Sequence, residues 1–194
     1  MIATRVSAAV SERLGILRAP PFSYGVVVGG GPFPGAAGPR RKTFHRAFNE
    51  LLARWEDDGF QHFVVVTAHR FEPYLEALLM TPAVRASKSV YDLFQIDVSD
   101  ILESDPEFEH AGELETSLML HLAPEAVRLS EARDFLPQGQ ALRKYTRRRA
   151  PTPPVESGGV LGSPSLATPE KGARIFARWV DAIAEAVRAE GLGE

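Results

Sequence analysis

Residues 63–66 read FVVV, a short unbroken apolar run that continues into Thr67-Ala68-His69 and then turns polar. A run this short, rich in β-branched residues and without in-and-out alternation, predicts a strand covered on both faces. What flanks it must therefore cover it. From Arg41 to Asp58, Phe44, Phe48, Leu51, Leu52 and Trp55 recur at helical spacing on one face, and Gly59 ends the helix. A second helix is predicted over Glu72–Leu79, and another strand near Val90–Val98. Ile2, Val6, Val10 and Leu14 lie four residues apart on one side of a short amphipathic helix over 2–14, which Gly15 can stop. The last helix begins near Pro169 and turns Ile175, Phe176, Trp179, Val180, Ile183 and Val187 inward. Helix, strand, helix and strand in alternation predict a layered α/β fold with a largely parallel sheet.

With 194 residues there is room for one domain of ordinary size, spanning 1–194, and two would be cramped. A net charge of −3 gives no general pull toward nucleic acid or an anionic membrane, and neither is an expected partner. The absence of cysteine excludes disulfides, thiolate zinc sites and cysteine nucleophiles. No apolar stretch approaches bilayer length, and the N-terminus lacks the hydrophobic core of a signal peptide, so a cytoplasmic location is expected.

Two segments are irregular. ILRAPPFSYGVVVGGGPFPGAAGP (16–39) predicts short strand-like pieces in a glycine- and proline-rich loop. Its triple glycine, Gly29–Gly31, is followed by Pro32 and Pro34 rather than by a helix start, which argues against a phosphate-binding turn. An active-site loop and a plain connector both remain open. The basic, proline-rich loop over 142–158 could grip a phosphate or an acidic partner, but a solvated surface loop is the commoner use of such a segment.

Two places could carry chemistry. In open parallel sheets ligands bind beyond the carboxyl ends of the strands, and His69 lies at that end of FVVV. There an imidazole can ligate a metal or move a proton, or simply cap the next helix. The second place is EHAGELETSLMLHL (109–122). On a helical wheel Glu113 neighbours Thr116 and Ser117 and is expected to face solvent. Glu115 neighbours Leu118, Met119 and Leu122, an apolar side where a carboxylate needs a partner, backbone donors or a metal. His121 is expected on the helix surface or at an interface. Neither a G-x-S-x-G elbow nor an H-x-x-x-H zinc spacing occurs.

HAGELETSLML resembles the H-A-G-x-x-E-T-S signature of the creatininase family, the creatinine amidohydrolase-like metallohydrolases. The strand ending in Thr67-Ala68-His69 is similar to that family's strand ending in N-G-H-G-G-N. Tyr24-Gly25, the FPG of Phe33–Gly35 and GVLGSPSLATPEKG (159–172) also match, in the family's order. The resemblance implies a three-layer α/β/α sandwich with a mostly parallel central sheet, assembled into homo-oligomers. It further implies a two-metal site that hydrolyses a C–N bond of an amide or cyclic amide in a small molecule. On matching positions, His69 and Glu115 are the implied metal residues and His110 the implied general acid/base. Arg70, Glu72 and Phe33 are the expected substrate contacts. Zinc or manganese is the implied cofactor of an active protein.

The departures open an alternative. The family's E-x-H-G-x-H-L-P segment and the T-D after it have no counterpart, so the chain is N-terminally short relative to the family. Arg70 and Phe71 replace two glycines, and Glu72 replaces an asparagine. Catalytic zinc typically takes three protein ligands; His69 and Glu115 match, and Glu72 is a conceivable third. A non-catalytic homologue, binding no metal and serving as a binding or assembly subunit, therefore stands beside the hydrolase.

Overall fold

The strand β1 (His62–Thr67) pairs in parallel with β2 (Ser87–Asp92), from His62 opposite Ser87 to Thr67 opposite Asp92. The computed structural model describes residues 1–27, 33–69, 71–80, 85–105, 109–136 and 153–193. Among the described residues five α-helices pack around these strands: α1 (Ile2–Leu14), α2 (Arg41–Asp57), α3 (Glu72–Leu79), α4 (Glu113–Leu122) and α5 (Pro169–Ala189). Alternate side chains of β1 enter different cores. Val64 and Val66 pack on the layer built from Val6, Val10, Leu118, Ile175, Trp179 and Ile183. Phe63 and Val65 pack on the layer of Phe44, Phe48, Leu52 and Leu78. The unbroken apolar run is thus covered on both faces, as its composition requires.

Helix starts and stops follow local chemistry. Gly15, at φ 63°, takes the left-handed position that ends α1, and Gly59, at φ 100°, follows the end of α2. Thr168 caps α5: its hydroxyl accepts from the Lys171 N–H at 3.2 Å, with Pro169 in the first turn. Gly172 sits where α4 and α5 cross, because a Cβ there would lie 2.0 Å from the Ser117 carbonyl oxygen. The backbones therefore touch, and α5 fixes the position of α4.

Two sequence expectations need correction. The second strand is Ser87–Asp92, not 90–98. The Asp92 carboxylate accepts from the Phe94 N–H at 3.1 Å and starts a 3-10 turn, Leu93–Gln95. Val98 and Ile101 still reach the core, from a turn rather than a strand. Residues 16–27 and 33–39 form no strand; they are loop, from which Val26 reaches the core. Gly29–Gly31, Arg70 and the basic stretch 142–152 lie outside the described residues. Val155–Ser157, after that stretch, is a 3-10 turn. No helix among the described residues is long and apolar enough to cross a membrane.

Candidate functional site

The carboxyl end of β1 is tightly specified. Thr67 is buried, and its hydroxyl accepts from the His69 N–H at 3.2 Å. The His69 ring is half-buried, with Nε2 3.0 Å from the Val26 carbonyl oxygen. A carbonyl only accepts, so Nε2 carries the proton and Nδ1 holds the lone pair. Tyr74 packs edge-on against His69, ring centroids 5.3 Å apart. Burial raises the Tyr74 phenol above its ordinary value, and a hydrogen bond with the Thr67 side chain opposes that shift.

The second part of the site is built just before α4. His110 forms an antiparallel bridge with Leu161, N–H to carbonyl at 2.8 Å in both directions. Ala111 takes the left-handed conformation at φ 53°, an uncommon one for a residue with a Cβ. Glu109, buried, accepts from the N–H groups of Leu114 and Glu115 at 3.0 and 3.2 Å and so caps α4 from outside the helix. The half-buried Glu115 folds back to accept from the Ala111 N–H at 2.6 Å. A backbone donor holds it, one of the alternatives its sequence position left open.

The two glutamates of α4 exchange their expected environments. Glu113, predicted to face solvent, has no exposed surface, whereas Glu115 is only partly buried. The Glu113 carboxylate accepts from Lys171 Nζ at 2.5 Å and from the N–H groups of Glu103 and Ser104. Those donors come from α5 and from a loop, so neighbours within α4 gave no sign of them. Lys171 also bonds Glu103 Oε1 at 2.6 Å and the Leu166 carbonyl at 2.7 Å. The periodicity of the sequence assigns roles to neither Glu109 nor Lys171; their only local signal is a charge next to a helix start. His121 is on the surface, its ring beside Phe176.

His69, His110 and Glu115 line one cleft of about 1650 Å³, with Thr67, Tyr74 and Thr116. Of the expected substrate contacts, Phe33 and Glu72 are not among the described lining residues. The Phe33 ring faces Gly159, and Glu72 is exposed in the first turn of α3. No group of three or more histidine, aspartate and glutamate side chains able to hold a metal occurs among the described residues.

The order of these elements is that of a known family. The creatininase family, described as creatinine amidohydrolase, matches residues 1–187. The chain belongs to the creatininase family. This creatininase-family chain is 28% identical over 216 residues to the creatinine amidohydrolase of Pseudomonas putida, across 98% of the chain and 81% of that relative. It is 45% identical over 75 residues to the mycofactocin precursor peptide peptidase of Mycobacterium ulcerans (strain Agy99). That match spans 37% of the chain and only 29% of the peptidase. A crystal structure of creatinine amidohydrolase superposes with a TM-score of 0.78 at 24% identity, over 97% of the chain and 80% of that structure. The fold is therefore the α/β creatininase fold. Two further matched structures are described as a Zn–Zn type creatininase and a manganese creatininase.

Proposed function

We propose that this creatininase-family chain is an amidohydrolase-type protein acting on a C–N bond, with its chemistry at the His69–His110–Glu115 end of the cleft. One observation carries the reading: two segments far apart in sequence, the end of β1 and the start of α4, bring to one cleft the three residues that resemblance matches to the family's metal and acid/base positions. His110, exposed and fixed by its bridge to Leu161, is suited to protonate a leaving nitrogen. Thr67 and Tyr74 hold the end of β1 and orient His69. A divalent metal of the family's kind would acidify a water and polarise the scissile carbonyl. The described donors do not fit such a centre. Three protein ligands are typical, and only two described residues, His69 through Nδ1 and Glu115, stand at matched positions, so the shortfall is one of ligand number. The same misfit favours the second reading, a binding or assembly subunit without catalysis.

Further parts of the proposal are a single domain over 1–194, a small-molecule amide as substrate, homo-oligomeric assembly and a cytoplasmic location. The test is elemental analysis of the purified full chain, followed by hydrolysis assays on creatinine and small amides with and without added zinc or manganese. Hydrolysis that falls by about 100-fold or more in His110→Ala is expected of the enzyme. No retained metal and no hydrolysis after metal is added would leave the binding subunit as the function.

A further inference from the structure

Glu109 and His110 are neighbours in the chain with opposite surroundings. Glu109 is buried, 7% exposed, whereas His110 is exposed and lines the cleft. Adjacent residues of an extended segment point to opposite sides, so burying one turns the other outward. His110 is the bridged residue of this segment: its N–H donates to the Leu161 carbonyl and its carbonyl accepts from the Leu161 N–H, both at 2.8 Å. A single bridge is a short ladder. A slip of one residue would exchange the two side chains, carrying the imidazole inward and the carboxylate out.

The Glu109 carboxylate opposes that slip. Its Oε1 accepts from the N–H groups of Leu114 and Glu115, which belong to the first turn of α4 and are left over by the helix's own ladder. A negative charge is also the favoured one at that end of a helix. Gly112 makes room for it, because a Cβ there would lie 2.7 Å from Glu109 Oε2. Between the carboxylate's anchor and the bridge, Ala111 takes φ 53°, and its N–H donates to the Glu115 carboxylate at 2.6 Å. A left-handed alanine persists only where its surroundings hold it. The segment from Glu109 to Glu115 is thus held at two places, on Leu161 and on α4. The helix is a firm reference, seated backbone to backbone on α5 at Gly172 and Ser117.

We propose that Glu109 is a positioning residue for His110: its carboxylate, held on the N-terminus of α4, sets the register of the His110–Leu161 bridge and keeps the imidazole turned into the cleft. It acts through the main chain rather than by touching a substrate. Glu113 does not take this place, because its carboxylate is committed to Lys171 and to the N–H groups of Glu103 and Ser104. The effect on catalysis rests on the hydrolase reading above, in which His110 moves the proton; the placement of the ring does not.

Amide hydrogen exchange on the full chain tests this in Glu109→Ala, Glu109→Asp and Glu109→Gln. Glutamine keeps an acceptor oxygen in the place of Oε1. Aspartate, one methylene shorter, withdraws it and serves in place of the alanine variant should that one fail to fold. With alanine or aspartate, exchange at the His110 and Leu161 N–H groups is expected to speed up by about tenfold or more while α2 amides such as Phe48 stay unchanged, and glutamine is expected to restore most of the protection. Faster exchange at Leu114 and Glu115 with the bridge still protected would make Glu109 a helix cap only and overturn the proposal. Equal acceleration in α2 would overturn it too, as a general loss of stability. Where the parent hydrolyses an amide, the aspartate variant is expected to lose about tenfold or more in kcat with KM within about twofold, and glutamine to recover it. A change in KM alone would overturn the role in catalysis. A parent without hydrolysis, in which the variants still lose the bridge, would sink the hydrolase reading and leave the placement of His110 standing.

Discussion

Glu113 and Lys171 form the most buried charge pair among the described residues: the Glu113 side chain has no exposed surface and that of Lys171 is 13% exposed. Burial pushes the Glu113 carboxyl up, but Lys171 and the N–H groups of Ser104 and Glu103 outweigh it and hold the carboxyl below its ordinary range. Burial pulls Lys171 down, and the carboxylates of Glu103 and Glu113 more than offset that, leaving it raised. The depressed carboxyl stabilises the fold above its unfolded-state value and loses this as pH falls through its folded-state value. The raised amine stabilises below its unfolded-state value and loses this as pH rises through its folded-state value. The pair therefore works between the ordinary carboxylate and lysine ranges. Lys171→Met is expected to cost roughly 3 kcal/mol at neutral pH, since it strands a buried carboxylate. Urea unfolding checks this, and the difference from the parent should shrink once the pH falls below the carboxylate range. A cost independent of pH would remove the ion pair as its cause. Nothing in HAGELETS reveals this pair. Its partners lie on a loop about ten residues upstream and on a helix more than fifty residues downstream, and a wheel shows only neighbours within one helix.

At the scale of elements, the crossing of α4 and α5 gives a prediction whose sign is diagnostic. Helix propensity alone makes Gly→Ala favourable by about 1 kcal/mol in a helix interior. At Gly172 the added Cβ would lie 2.0 Å from the Ser117 carbonyl oxygen and 2.9 Å from the His121 Cβ, so the helices must separate. Gly172→Ala is expected to destabilise by roughly 2 kcal/mol, read as a lower Tm; a higher Tm would mean the crossing is looser than this geometry. Helices were the legible elements. The spacing of Val6, Val10 and Leu14, and of Phe44, Phe48 and Leu52, places α1 and α2 and their buried faces. β2 was legible only in part. Its end depends on the Asp92 side chain capturing a backbone N–H, a hydrogen bond that hydrophobic periodicity does not encode.

Over the whole molecule the two layers beside the sheet differ in extent. The α1, α4 and α5 side buries Trp179, Ile175, Ile183, Leu114 and Leu118 almost completely, in a larger cluster than that of Phe44, Phe48, Leu52, Ala77 and Leu78 under α2 and α3. Local opening follows buried apolar contact, so α2 amides are expected to exchange through openings of lower free energy than α5 amides in native-state hydrogen exchange. Equal protection in both helices would show that the layers open as one unit. The linear sequence was enough for the α/β class, the five helices found among the described residues, a doubly covered strand and the segments that carry His69, His110 and Glu115. These rest on composition and short-range spacing, which a linear chain displays directly. Only the folded arrangement decided which glutamate is buried, that His69 Nε2 meets the Val26 carbonyl, and that His69, His110 and Glu115 line one cleft. Each of these depends on groups distant in sequence, and burial, hydrogen bonding and charge act through distance in space.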